Sequence, residues 1–194
     1  MSKLSLEQKL RTGHVKRWQI VRVAREQTIA EHMYRVHLIA KEVGERASLS
    51  EREKRLVTEW SLIHDIPEVV TGDIATPTKR AMRQAVPDSD PVRHIELSLD
   101  KDYKDVYEHC KTYSPIVLEV VKIADLIEAI DFLEIDGMGP HAADVKVGLK
   151  KSLFEKMDSL KEEFPAVHTA GYNIFFEVCV GHKHSEDGVY PVTK

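Results

Sequence analysis

Apolar residues recur along this chain at the spacing of helices with one buried face. Ile29, Met33, Val36, Ala40 and Val43 follow the 3.6-residue period, and Val57, Trp60, Ser61 and His64 follow it again. Leu118, Val121, Asp125 and Phe132 share a face of a helix predicted to begin near residue 115, and further helical patterns span 91–110, 142–163 and 166–179. Helix starts are marked as well. Ser5 with Gln8, Thr28 with Glu31 and Ser50 with Glu53 have capping-box spacing, in which two side chains satisfy backbone N–H groups left over at a helix start. Ser114-Pro115 places a capping residue before a proline suited to the first helical position, and Gly13 and Gly44 read as helix-ending residues. No alternating strand pattern and no repeat is present. The pattern predicts one all-α domain of six or seven helices over residues 1–180, with long loops near 14–27 and 71–90. A polar tail, "GHKHSEDGVYPVTK", follows over 181–194.

Composition narrows the class. With 194 residues, 42% of them apolar and 31% charged, the chain can bury one substantial core and does not read as disordered. A net charge of −4 gives no general attraction to a nucleic acid polymer. No apolar run approaches the ~20 residues of a membrane span, and "MSKLSLEQKL" lacks the apolar core of a signal peptide. A cytoplasmic protein is expected, with Cys110 and Cys179 as reduced thiols.

The stretch "LIHDIPEVVTGD" at 62–73 changes the picture, because it brings three ionisable groups to the end of an apolar helix. His32 falls on the inward side of its own helix, and Asp125 lies within "VVKIADLIEAIDFL", where a lone carboxylate is costly to bury. Each taken alone has a bland explanation as a hydrogen-bonded or ion-paired core residue. Together, His32, His64, Asp65 and Asp125 aim four groups inward from three helices and call for a common partner, which a divalent cation supplies. Two imidazoles and two carboxylates suit Zn, Co, Mn, Fe or Ni alike.

These residues stand in the H…HD…D pattern, and here the chain resembles the HD-domain phosphohydrolases. Within that superfamily it is similar to bacterial 5′-deoxynucleotidases and to viral deoxynucleotide hydrolases over roughly residues 14–135. The resemblance runs through "RWQIVR" at 17–22, "AEHMYRVHLIAK" at 30–41, "HDIPEVVTGDIATPTK" at 64–79 and "VKIADLIEAIDFLE" at 121–134. It implies an HD-domain metal-dependent phosphohydrolase with His32, His64, Asp65 and Asp125 as ligands and Glu68 as general acid or base. Independently, Glu68 follows Asp65 by three residues, one helical turn on, although Pro67 interrupts the intervening chain. The resemblance further implies Arg17 and Lys79 near the phosphate, and Trp18 and Asp73 as the residues that select a deoxyribose.

After "TPTK" the chain continues "RAMR", adding Arg80 and Arg83. Lys79, Arg80 and Arg83 together tilt the expectation toward a triphosphate, whose tail needs more cationic neutralisation; a solvated basic face is the other reading. Glu128, one turn after Asp125, supports a ligand from behind or reaches a second cation. The H-x-H of His182 and His184 is read as incidental. The expected activity is attack at the alpha-phosphorus of 2′-deoxynucleotides, foremost dATP, releasing triphosphate, with an additional Mg on the phosphates allowed. A 5′-deoxynucleotidase acting on monophosphates is the alternative, and a non-catalytic nucleotide-binding regulatory domain the remaining one. The implied partners are a small-molecule deoxynucleotide and further copies of the chain, with no membrane.

Overall fold

A computed structural model of the chain describes residues 3–181. Among these residues every extended element is helical, and β-pairing is confined to two isolated bridges, Lys16 with Thr28 and Val23 with Gly137. The order is α1 (Leu6–Leu10), a 3₁₀ turn (Arg11–Gly13), α2 (Ile29–Arg46), α3 (Glu51–Ile63), α4 (Glu68–Thr71) and α5 (Thr76–Ala85). It continues with α6 (Pro91–Leu99), α7 (Lys101–Tyr113), α8 (Pro115–Asp136), α9 (Gly139–Ser159) and α10 (Pro165–Phe175), which runs into a π-helical turn, Phe176–Val180. The all-α expectation holds, with more helical segments than six or seven.

Helix α8 is the axis of the fold. It packs against α2, α3, α7, α9 and α10, so it is apolar on nearly every side and Val117, Val120, Ile123, Ala124, Ile127 and Ile130 are all fully buried. Its neighbours carry a single buried stripe each, such as Ile29, Val36, Ala40 and Val43 on α2. Burial of such side chains contributes about 1.5–3 kcal/mol each, and this is what holds the bundle.

The helix starts form largely as their sequences dictate. Ser5 and Ser50 complete reciprocal capping boxes with Gln8 and Glu53. At Thr28 only half forms: its hydroxyl accepts from Glu31 N–H at 3.2 Å, while the Glu31 carboxylate turns to Arg25. Gly44 does not end α2. That helix runs on to Arg46 and closes through Ser48, which takes a positive φ of 54° while Leu49 N–H reaches back to Gly44.

Two expectations need correction. The 71–90 segment is not all loop, because α5 occupies Thr76–Ala85; this helix buries no residue and so carries no apolar stripe to be read. The 91–110 pattern is two helices broken at Asp100, an extended, buried residue. Its carboxylate accepts Leu4 N–H at 3.1 Å and pairs with Lys9 at 2.8 Å, pinning the N-terminal segment to the bundle.

The 14–27 loop is non-helical as expected, but its backbone is tied at both ends. Ile29 N–H donates to Val15 O and Arg17 N–H to Gln27 O, closing the loop on itself. Ala24 N–H reaches Asp136 O, and Met138 N–H reaches Arg22 O, fastening it to the end of α8. Cys110 and Cys179 are free and buried. No helix among the described residues is long and apolar enough to cross a membrane. His182, His184 and the tail from 182 onward lie outside the described residues.

Candidate functional site

His32 projects from α2, His64 caps the end of α3 with Asp65 beside it, and Asp125 projects from α8. Three helices therefore meet at one point. His32 Nε2 lies 3.4 Å from Asp125 Oδ1 and 3.5 Å from Asp65 Oδ2, and His64 Nε2 lies 3.6 Å from Asp65 Oδ2. One ligand atom each from His32, His64 and Asp125 fall within 4.8 Å of one another.

The other ring nitrogens explain why the Nε2 atoms face inward. His64 Nδ1 contacts Ser61 O at 2.8 Å and His32 Nδ1 contacts Glu128 Oε2 at 2.6 Å, both acceptors, which assigns a proton to each Nδ1; Arg17 Nη1, also beside His32 Nδ1, has Glu128 and Gln27 to take its hydrogens. Both Nε2 atoms are buried and without a hydrogen-bond partner. Two orphaned imidazole lone pairs converging with two carboxylates form a donor set that fits a divalent transition cation. Burial pulls the His64 pKa down, which keeps it neutral and able to ligate. Burial and Arg17 act on His32 in the same direction, yet the neighbouring carboxylates of Asp125 and Glu128 prevail and raise it. Burial opposes ionisation of Asp125, but Lys122 and the two histidines overcome it and hold the carboxyl well below its ordinary range. Asp65 behaves likewise, with His64 and His32 lowering it against burial.

Glu68 is the first residue of α4 and is almost fully buried. Pro67 does not displace it: Glu68 N–H donates to Asp65 O at 3.0 Å, so the expected turn between the two forms. Its Oε1 accepts from Lys79 Nζ at 3.1 Å, while Oε2 is buried without a partner. Burial, then the Asp65 charge, push its pKa up to about 9, with Lys79 opposing.

Glu128 is completely buried on α8 and accepts from His32, Arg17 (3.0 Å), Gln27 (2.6 Å) and Arg35 (3.0 Å). Its oxygens are engaged, so it orients His32 and does not reach for a second cation. Arg17 lines the cavity but is less free than expected for a phosphate-binding arginine: Nη1 also contacts Gln27 Oε1 and His32 Nδ1. Trp18 takes an unusual positive φ of 65°, stacks on Phe132 with centroids 5.7 Å apart, and donates its indole N–H to Gln27 at 2.8 Å.

A cavity of about 660 Å³ opens onto the cluster, a size that suits a nucleotide. Arg17, Trp18, His64, Asp65, Glu68, Asp73, Lys79, Arg83 and Asp125 all line it. Asp73 follows Gly72, whose φ of 71° makes the turn that aims it, a conformation strained for any side chain. Arg80 is exposed and absent from the lining, so the expected cluster of three cations contracts to Lys79 and Arg83. Arg93 and Lys122 line the cavity too and were not anticipated, and neither were Gln27 and Arg35 behind it. Lys122 was within reach of the sequence, three residues before Asp125 and on its face; the others carry no local signal.

The 5′-deoxynucleotidase YfbR-like family model matches residues 7–134. A dATP triphosphohydrolase from Cyanophage S-2L is 34% identical over 154 residues, covering 79% of this chain and 83% of that protein. Another dATP triphosphohydrolase, from Acinetobacter phage SH-Ab 15497, is 33% identical over 179 residues and covers 86% of each. The solved structure of the Cyanophage S-2L HD phosphohydrolase, bound to dA and one catalytic Zn²⁺ ion, superposes with a TM-score of 0.79 at 27% identity. That match covers 92% of this chain and 98% of the other.

Proposed function

The chain belongs to the 5′-deoxynucleotidase YfbR-like family of HD phosphohydrolases, and from that premise we propose that this metal-dependent hydrolase cleaves 2′-deoxynucleotides at the alpha-phosphorus, with dATP as substrate and triphosphate as product. The observation that carries the reading is the convergence of the partnerless Nε2 atoms of His32 and His64 on Asp65 and Asp125, at the mouth of a nucleotide-sized cavity.

In this reading His32, His64, Asp65 and Asp125 hold the cation, which when bound supplies Lewis acidity toward the attacking water and a phosphoryl oxygen. Glu68 moves the proton. Its unpartnered Oε2 and high pKa suit it to deliver a proton to the departing 5′ oxygen, or to take one from water once cationic charge has drawn that pKa down. Lys79 holds Glu68 in place and, with Arg17, Arg83, Arg93 and Lys122, offsets charge along the phosphates. Trp18 crowds the 2′ position of the sugar, and Asp73 accepts from its 3′-hydroxyl. The proposal includes a homo-oligomer in the cytoplasm, and exposed Tyr34, Leu38 and Phe176 supply apolar surface for association.

The monophosphatase alternative keeps one specific support, since Arg80 stands outside the cavity and contributes nothing to a phosphate tail. Chromatography of the products from dATP and from dAMP separates the two. Deoxyadenosine and intact triphosphate from dATP support the proposal. Turnover of dAMP with dATP left untouched contradicts it.

A further inference from the structure

Gln27 is completely buried between the indole of Trp18 and the carboxylate behind His32, beside Arg17, which also reaches that carboxylate. Its Oε1 accepts the Trp18 indole N–H at 2.8 Å and Arg17 Nη1 at 3.2 Å, and its Nε2 donates to Glu128 Oε1 at 2.6 Å. The partners fix the orientation of the amide. Two N–H donors require the oxygen on one side, and a carboxylate requires the NH₂ on the other. Glu128 in turn takes the Nδ1 proton of His32 at 2.6 Å. A continuous chain of hydrogen bonds thus runs from Nδ1 of His32, whose Nε2 faces inward, through Glu128 and Gln27 to the indole of a residue held at a positive φ. Shorter Asn does not span this gap, and an apolar residue leaves the indole N–H unmatched and takes one of two donors from Glu128 Oε1, which keeps Arg35.

We propose that Gln27 is a positioning residue that couples the cation ligand His32 to the sugar-facing indole of Trp18, so that the site reads the 2′ position in register with the cation. This rests on the reading above, in which His32 holds the cation and Trp18 faces the sugar. Occupancy of the cation site then bears on the placement of the indole, and Gln27 is the neutral link between them, alongside the charged Arg17.

The chain has two tryptophans, so ¹⁵N-indole spectra of the full chain, zinc-loaded and after chelation, contain two side-chain resonances to follow. The expected result is that the Trp18 resonance moves on zinc loading in the wild type, and that in Gln27→Met this movement shrinks several-fold. The same variant is expected to give up zinc to a chromophoric chelator ~10-fold more readily, the scale of losing a partner that orients a ligand. Its preference for dATP over ATP in kcat/KM is expected to fall by a similar factor. A zinc-dependent movement that survives unchanged in Gln27→Met overturns the coupling. A wild-type Trp18 resonance indifferent to zinc overturns it as well, and decides the matter even where Gln27→Met does not fold. Trp18→Ala separates the premise: if that variant keeps the wild-type dATP to ATP ratio, the sugar-selection reading fails, while the indole spectra still decide the linkage.

Discussion

Lys79 on α5 donates to Glu68 at the start of α4 across 3.1 Å, and the pair lies at the cavity with one carboxylate oxygen left unpartnered. Burial and the neighbouring Asp65 hold the Glu68 proton on, and Lys79 is the one opposing charge in hydrogen-bond contact with it. The two residues set the charge state of the group assigned to proton transfer.

Replacing Lys79 with Met is expected to move the pH profile. Lys79 lowers the Glu68 pKa, so its removal lets that pKa rise. A general base works ionised and gives a rate that climbs with pH, whereas a general acid gives one that falls. In either role the Glu68 limb of kcat/KM shifts to higher pH in Lys79→Met. A limb that stays in place or moves to lower pH contradicts the assignment.

Glu68→Gln should lower turnover by ~10²-fold or more, the scale of general acid-base catalysis, while zinc content stays at the wild-type level. Stability should move the other way. Unfolded Glu68 titrates near 4.5 and folded Glu68 near 9, so the cation-free protein loses stability as pH rises through that window. Gln has no such dependence. The variant should therefore melt together with the wild type near pH 4 and above it at pH 8, by ~1–3 kcal/mol, the usual cost of an ill-matched buried polar group. Thermal melts of chelated protein at the two pH values check this, and equal melting at pH 8 counts against a buried, proton-retaining Glu68.

Glu128→Leu removes the acceptor shared by His32, Arg17, Arg35 and Gln27. It should weaken zinc binding by ~10–100-fold and destabilise the fold by about 3 kcal/mol, because it leaves the Arg17 guanidinium without its carboxylate at a buried site, while Arg35 keeps Asp131. Competition against a chelator and denaturant unfolding measure the two effects. Loss of stability with unaltered zinc affinity would make Glu128 a packing residue alone.

Asp73→Ala should cost ~1–3 kcal/mol in kcat/KM for dATP, the scale of one unpaired polar contact, and far less for the 3′-deoxy analogue, which lacks that hydroxyl. Asp73→Asn is a weaker test because an amide oxygen still accepts. Trp18→Ala should raise relative activity on ribonucleotides. Equal losses on both sugars would assign Asp73 to shaping the turn after Gly72.

Much of this site was legible beforehand, for a local reason. His32, His64 and Asp125 lie on amphipathic or apolar helices whose period fixes the direction of each side chain, and Asp65 and Glu68 lie one turn apart. The missing parts are non-local. Gln27 and Glu128 meet across 101 residues of sequence and Arg17 meets Glu128 across 111, so neither contact leaves a periodic trace. Arg17, which the resemblance implies near the phosphate, also braces the carboxylate behind His32. Helix α5 escaped detection because it buries nothing, and Arg80 on it was expected in the site because spacing along an unrecognised helix cannot say which face a charge takes.

The central claim is that one divalent cation, held by four side chains from α2, the α3 end and α8, is what makes this cavity a hydrolase. Elemental analysis of the purified protein alongside turnover of dATP tests it most directly, in the wild type and in Asp65→Ala. The account predicts one zinc-like ion per chain and release of deoxyadenosine in the wild type, and loss of both together in the variant. An Asp65→Ala protein that is folded, retains a full complement of metal and still turns over dATP would contradict it.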